Sequence, residues 1–113
     1  MVKWPAVIRY HGDDELTCVG SAAEWKRDAD SLIYHHRGNN DLIDSDGRVY
    51  SIVPAQQHGF IYVAGDERVT LEDFIRLVRV HASSTHRCCI EKISFRSIAE
   101  GIALVASMAD DNM

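Results

Sequence analysis

The chain has 113 residues, 46% of them hydrophobic, and carries 12 basic against 17 acidic side chains for a net charge of −5. This length fits a single α+β domain over residues 1–113, with a self-sufficient core and disorder expected only in the last few residues. The acidic excess is even along the chain (6 basic and 9 acidic residues in 1–60, 6 and 8 in 61–113), and such a field repels phosphate backbones and anionic membranes.

"MVKWPAVIRY" opens the chain. Lys3, Pro5 and Arg9 interrupt any secretory apolar run, while Trp4 to Tyr10 reads as a strand. The cluster "HGDDE" turns the chain into a second strand, Leu16 to Val19. Ser21 followed by Glu24 forms a capping box, predicting a short helix from Ala22 to about Ala29 anchored by Trp25. "SLIYHH" (31–36) reads as a strand or an extended loop and "RGNN" (37–40) as a loop, before "DLID", "RVYSIV" and "GFIYVA" supply three further strand segments.

The helix over "VTLEDFIRLVRVHA" is the clearest element. Thr70 caps it, Val69 can staple onto Phe74, and Leu71, Phe74, Ile75, Val78 and Ala82 recur at helical spacing. "RCCIEKISF" (87–95) then reads as a strand. A second capping box, Ser97 with Glu100, opens a last helix whose Gly101 costs roughly 1 kcal/mol relative to alanine, a cost that close packing would explain. Strands first and helices late argue for an α+β fold with a largely antiparallel sheet built from hairpins, two C-terminal helices and one short N-terminal helix. The segment from "GFIYVA" through the capped helix to "RCCIEKISF" offers one parallel crossover, which would make the sheet mixed.

Asp44-Ser45-Asp46-Gly47 raises the question of a bound cation. With Gly47 at position 6 of an EF-hand loop, Asp44 and Asp46 fall at positions 3 and 5, but positions 1 and 12 fall on Leu42 and Val53. Neither can ligate through its side chain. A hairpin requires nothing that is missing: Asp44 and Ser45 start a type I turn, and Gly47 closes it in the left-handed region.

His35 and His36 are adjacent and would face opposite sides of a strand. His81, His86, Cys88 and Cys89 lack zinc-finger spacing, so no metal site or cofactor is assigned; packed thiols and a helix-end histidine account for them. Three cysteines, two of them adjacent, suit reduced thiols in a cytoplasmic protein, and "GIALVASMA" (101–109) is too short to span a bilayer. No Gly-x-Ser-x-Gly elbow or glycine-rich phosphate loop occurs. The catalytic candidates are therefore His35, His36, His58, Asp41 and Asp44, acid–base groups near strand ends and loops.

"WPAVIRY" leading into "GDDEL", then "LIDSDGRVYSI", then "TLEDF", resembles the family called domain of unknown function 4144, small uncharacterised proteins from marine gammaproteobacteria. The resemblance runs from Trp4 to about Leu104. It implies a small α+β protein of the bacterial cytoplasm and brings no established activity, cofactor or catalytic residue. Short strands without a barrel signature leave sheet edges, which proteins either guard or use. Glu91 and Lys92 are candidate guards, or else mark a strand that faces a partner. The resulting expectation is a non-enzymatic protein acting through another protein or a second copy of itself, by a strand edge or exposed sheet face, with no nucleic acid or membrane partner. The competing expectation is a small-molecule enzyme or binding protein using a His/Asp pocket between sheet and helices.

Overall fold

A computed structural model describes residues 1–33, 40–56, 59–84 and 90–110. The fold is α+β, with five strands in one open antiparallel sheet: β1 (Ala6–Arg9), β2 (Leu16–Val19), β3 (Asn40–Ile43), β4 (Arg48–Pro54) and β5 (Phe60–Arg68), in spatial order β2-β1-β3-β4-β5. Three helices accompany them: α1 (Ala22–Ile33), α2 (Leu71–Ser84) and α3 (Ile98–Asp110). Among the described residues no helix is long and apolar enough to cross a membrane.

Strand alternation sorts the side chains into two cores. Ala6, Ile8, Leu42, Tyr50 and Ile52 point to one face and pack with Trp25, Ala29 and Ile33 of α1. Val7, Ile43 and Val49 point to the other and pack with Phe74, Val78, Ile102 and Val105 of α2 and α3. The central strands are thus covered on both sides, which accounts for their nearly continuous apolar runs.

Two strand expectations are corrected. Ser31–Ile33 continues α1 rather than starting a strand, because Trp25, Ala29 and Ile33 form an i, i+4 stripe into the core and Ile33 is 2% exposed. The rest of "SLIYHH" lies outside the described residues. Ile90–Lys92 is a single 3-10 turn, in which Ile90 and Ile93 are three apart and both reach the α2/α3 core. Among the described residues no parallel crossover forms, every pairing in the sheet being antiparallel; residues 87–89 of the expected strand lie outside them.

The helix starts form as anticipated, with one displacement. The Glu24 amide donates to Ser21 Oγ at 3.2 Å and the Glu100 amide to Ser97 Oγ at 3.1 Å. The glutamate carboxylates, however, accept from Gly20 and Arg96 rather than from the capping serines, so each closes one residue earlier than a capping box. Thr70 Oγ1 accepts from the Asp73 amide at 3.1 Å, and Val69 joins Phe74 in one core. Gly101 does pack closely: a Cβ there would lie 2.6 Å from the Phe95 ring and 2.8 Å from the Phe74 ring. Gly101→Ala should therefore destabilise by about 1–3 kcal/mol despite the better helix propensity of alanine. Denaturant unfolding checks this, and unchanged stability would show that Phe95 moves aside freely.

Candidate functional site

The Asp44–Gly47 turn sits between β3 and β4, where the Gly47 amide donates to the Asp44 carbonyl at 2.9 Å and Gly47 adopts φ +82°. The chain reverses there, as the turn chemistry requires. Asp44 also has a second role that the sequence did not disclose. It is only 1% exposed, and its carboxylate accepts from the amides of Lys3, Asp46 and Arg48 and from the Tyr50 hydroxyl. Ser45 reinforces the same link, its amide donating to the Lys3 carbonyl and its hydroxyl to the Pro5 carbonyl. Asp44 thus welds the turn to the chain ahead of β1. Its lone pairs are directed at protein donors, which is the arrangement of a structural carboxylate.

Asp41 stands on β3 and accepts from the Arg9 guanidinium of β1 at 2.7 Å, the two being cross-strand partners. Asp41 and Asp44 therefore belong to separate hydrogen-bond networks and do not converge. His35, His36 and His58 lie outside the described residues, as do His86, Cys88 and Cys89. Among the described residues no group of three or more His, Cys, Asp or Glu is placed to hold a metal ion.

A cleft of about 240 Å³ between β2, α2 and α3 brings together Glu15, Cys18 and His81. His81 is buried, and its Nδ1 accepts from the Leu16 amide at 2.9 Å, so that nitrogen carries no proton and serves to hold β2 against α2. Burial, reinforced by the Glu24 charge, pushes the Cys18 thiol up, which suppresses the thiolate a nucleophile needs. Two further clefts, one lined by Arg9, Arg68 and Arg76 and one between α1 and the start of β5, measure about 280 and 250 Å³. All three fall below the roughly 300–1,000 Å³ of ordinary small-molecule sites.

Two buried phenols have a consequence for pH. Burial raises Tyr50, with the Asp44 charge adding to it, and burial likewise raises Tyr10. A group whose pKa is higher in the folded state holds its stabilisation in full below the unfolded value, about 10 for tyrosine, and loses it as pH rises through the folded value. The fold should therefore weaken above about pH 10. Unfolding measured between neutral and strongly alkaline pH reads this, and a flat profile would contradict it.

The outer edge of β5 is an open surface among the described residues. This strand is nine residues long and terminates the sheet, and among the described residues nothing pairs with its outer side. The hydrogen-bond phase identifies which groups are open. The Asp44 amide bonds the Arg48 carbonyl, so Tyr50 and Ile52 bond toward β3 and Ser51 and Val53 toward β5. The bond from the Ala55 amide to the Gly59 carbonyl fixes the same phase from the other end. Ile61 and Val63 thus bond to β4, while the amides and carbonyls of Phe60, Tyr62 and Ala64 point outward.

The two halves of β5 differ. Between Ala64 and Arg68 the register with β4 shifts, three residues facing Val49 alone, and Asp66, Glu67 and Arg68 are exposed there. A bulge and charges are ordinary guards of a strand edge. The half from Phe60 to Ala64 has neither guard. Its side chains Phe60 and Tyr62 pack toward α1, Tyr62 lying edge-on to Trp25 at 5.2 Å and to Tyr50 at 5.7 Å. Ile61 and Val63 point the other way and are 49% and 48% exposed, beside Val53 of β4. They occupy the face that carries α2 and α3, outside the buried cluster those helices form.

A family model described as "protein structure with unknown function" matches residues 4–105. Curated proteins give no match. A protein from Shewanella amazonensis, whose structure was determined by NMR, superposes with a TM-score of 0.65 over 95% of this chain and 90% of its own, at 21% sequence identity. At that identity the similarity shows the fold.

Proposed function

We propose, from the premise that this chain belongs to the DUF4144 family, whose function is unknown, that the protein works by binding an extended polypeptide along the Phe60–Ala64 edge of β5. The observation that supports this reading is the unguarded half-strand: open backbone donors and acceptors at Phe60, Tyr62 and Ala64 beside exposed Ile61 and Val63. Main-chain bonds to the open edge would supply affinity, and the apolar strip would select side chains of the incoming strand. The aromatic packing of Tyr62 against α1 holds the strand flat and in place before a partner arrives, which lowers the ordering cost of binding. Even acidity disfavours an anionic segment on the edge, and a neutral or basic one suits it better. Titration of isotope-labelled protein with an acetylated, alternating valine–threonine octapeptide tests the reading. Saturable shifts centred on the amides of Phe60, Tyr62 and Ala64 are expected; shifts elsewhere, or none, would refute it.

A further inference from the structure

We propose that the strand occupying this edge is β5 of a second copy of the chain, paired antiparallel about Tyr62. The inference rests on the binding-edge reading and adds the identity of the occupant. Outward-pointing groups must meet outward-pointing groups, so an antiparallel β5 pair has to align even-numbered residues with even-numbered residues. Centring the two-fold axis on Tyr62 satisfies this, setting Phe60 opposite Ala64 of the second copy and Tyr62 opposite Tyr62. The same register sets Ile61 opposite Val63 on the face away from α1, in the close, non-hydrogen-bonded type of pair. Val53, the β4 neighbour of Ile61, then extends the row, so that apolar side chains from both copies cover one another.

Charge excludes the registers displaced toward the bulge, and centring on Tyr62 pairs the whole of Phe60–Ala64 with its counterpart. The stretch from Phe60 to Ala64 carries no charged residue, whereas centring on Ala64 would lay Ile61 against Glu67 and Tyr62 against Asp66. The bulge after Ala64 enforces the same limit, because it bends Asp66 and Glu67 out of a regular ladder. Closure selects a pair rather than a fibre. The opposite edge of the sheet, β2, is four residues long and touches α3, and its Leu16 amide is already held by His81. Since β2 cannot receive β5, head-to-tail growth is blocked, and the self-complementary contact closes on itself.

A register-specific crosslink tests the proposal. Full-length Ile61→Cys and Val63→Cys chains are oxidised mildly, each alone and mixed, with the natural protein as control for its own cysteines. The mixture should give roughly ten-fold more crosslinked dimer than either chain alone, because only the 61–63 pair lies within the Cα span that a disulfide bridges. Sedimentation of the natural protein should show a monomer–dimer equilibrium that strengthens with salt, as screening relieves repulsion between two chains of charge −5. Equal crosslinking in all three samples would overturn the register, and a monomer at every concentration would overturn self-pairing. If that monomer still bound the valine–threonine peptide at Phe60–Ala64, the occupant alone would be wrong; if it did not, the binding edge would fall as well.

Discussion

Asp44→Ala should lower the stability of the fold by about 3–5 kcal/mol, the range reached when a buried hydrogen-bond network loses its centre. The carboxylate accepts from three amides and one hydroxyl, and alanine leaves all of them without that acceptor in a site that is 1% exposed. Asp44→Asn separates shape from acceptor capacity. Asparagine keeps one carbonyl oxygen but turns the other into a donor, and that donor faces groups that are themselves donors. It should therefore recover only a minor part of the loss. The neighbouring Asp46→Ala is the contrast: its contact with Lys3 at 3.3 Å lies between side chains 68% and 49% exposed, and removing it should cost well under 1 kcal/mol. Guanidinium unfolding of the three variants reads the order directly. Equal, small effects at positions 44 and 46 would show that Asp44 holds nothing together.

The second large effect belongs to the edge. Ile61→Lys combined with Val63→Lys should weaken binding of the valine–threonine peptide by about 100-fold or more, since cationic side chains on an edge strand are a common guard against pairing and the apolar strip is removed. Stability should move by about 0.5 kcal/mol or less, because both residues are half-exposed and lie outside the two cores. The pairing of a lost interaction with an intact fold is the informative result. Glu67→Lys, in the bulged half, should leave the peptide affinity within about two-fold, as expected of a rim position. If Glu67→Lys were as damaging as the double variant, the distinction between the guarded and unguarded halves of β5 would be wrong.

What the sequence disclosed was local. The reversal at Asp44–Gly47, the caps at Ser21, Thr70 and Ser97, and the stripe of Phe74 and Val78 each follow from chemistry within four or five residues. Elements decided by packing were read less well. The β-branched and aromatic residues after Ser31 look like a strand, yet the spacing of Trp25, Ala29 and Ile33 was the signal that α1 continues. Ile90 and Ile93 carry strand propensity too, but a three-residue spacing of apolar side chains suits a 3-10 turn.

Long-range partners were out of reach altogether. Nothing near His81 indicates that it accepts from Leu16, 65 positions away, and nothing near Asp44 indicates that it holds Lys3. The candidate site was legible only as a general consequence of an open sheet. Which strand is the edge depends on the order β2-β1-β3-β4-β5, and that order is set by how the hairpins pack side by side. Expected guards at Glu91 and Lys92 are corrected for the same reason, since Ile90–Lys92 forms a 3-10 turn outside the sheet. The pattern within β5, five uncharged residues followed by Gly-Asp-Glu-Arg, was visible but acquired meaning only once its outer side was known to be open.

The account stands on the claim that Phe60, Tyr62 and Ala64 turn their backbone groups outward while Ile61 and Val63 bond to β4. Residue-resolved amide hydrogen exchange measures this without any substitution. In dilute protein, exchange should alternate along β5, fast at residues 60, 62 and 64 and slow at 61 and 63; in concentrated protein or with the peptide bound, the three fast amides should become protected. Uniform protection in dilute protein, or fast amides that no partner and no concentration slows, would contradict it.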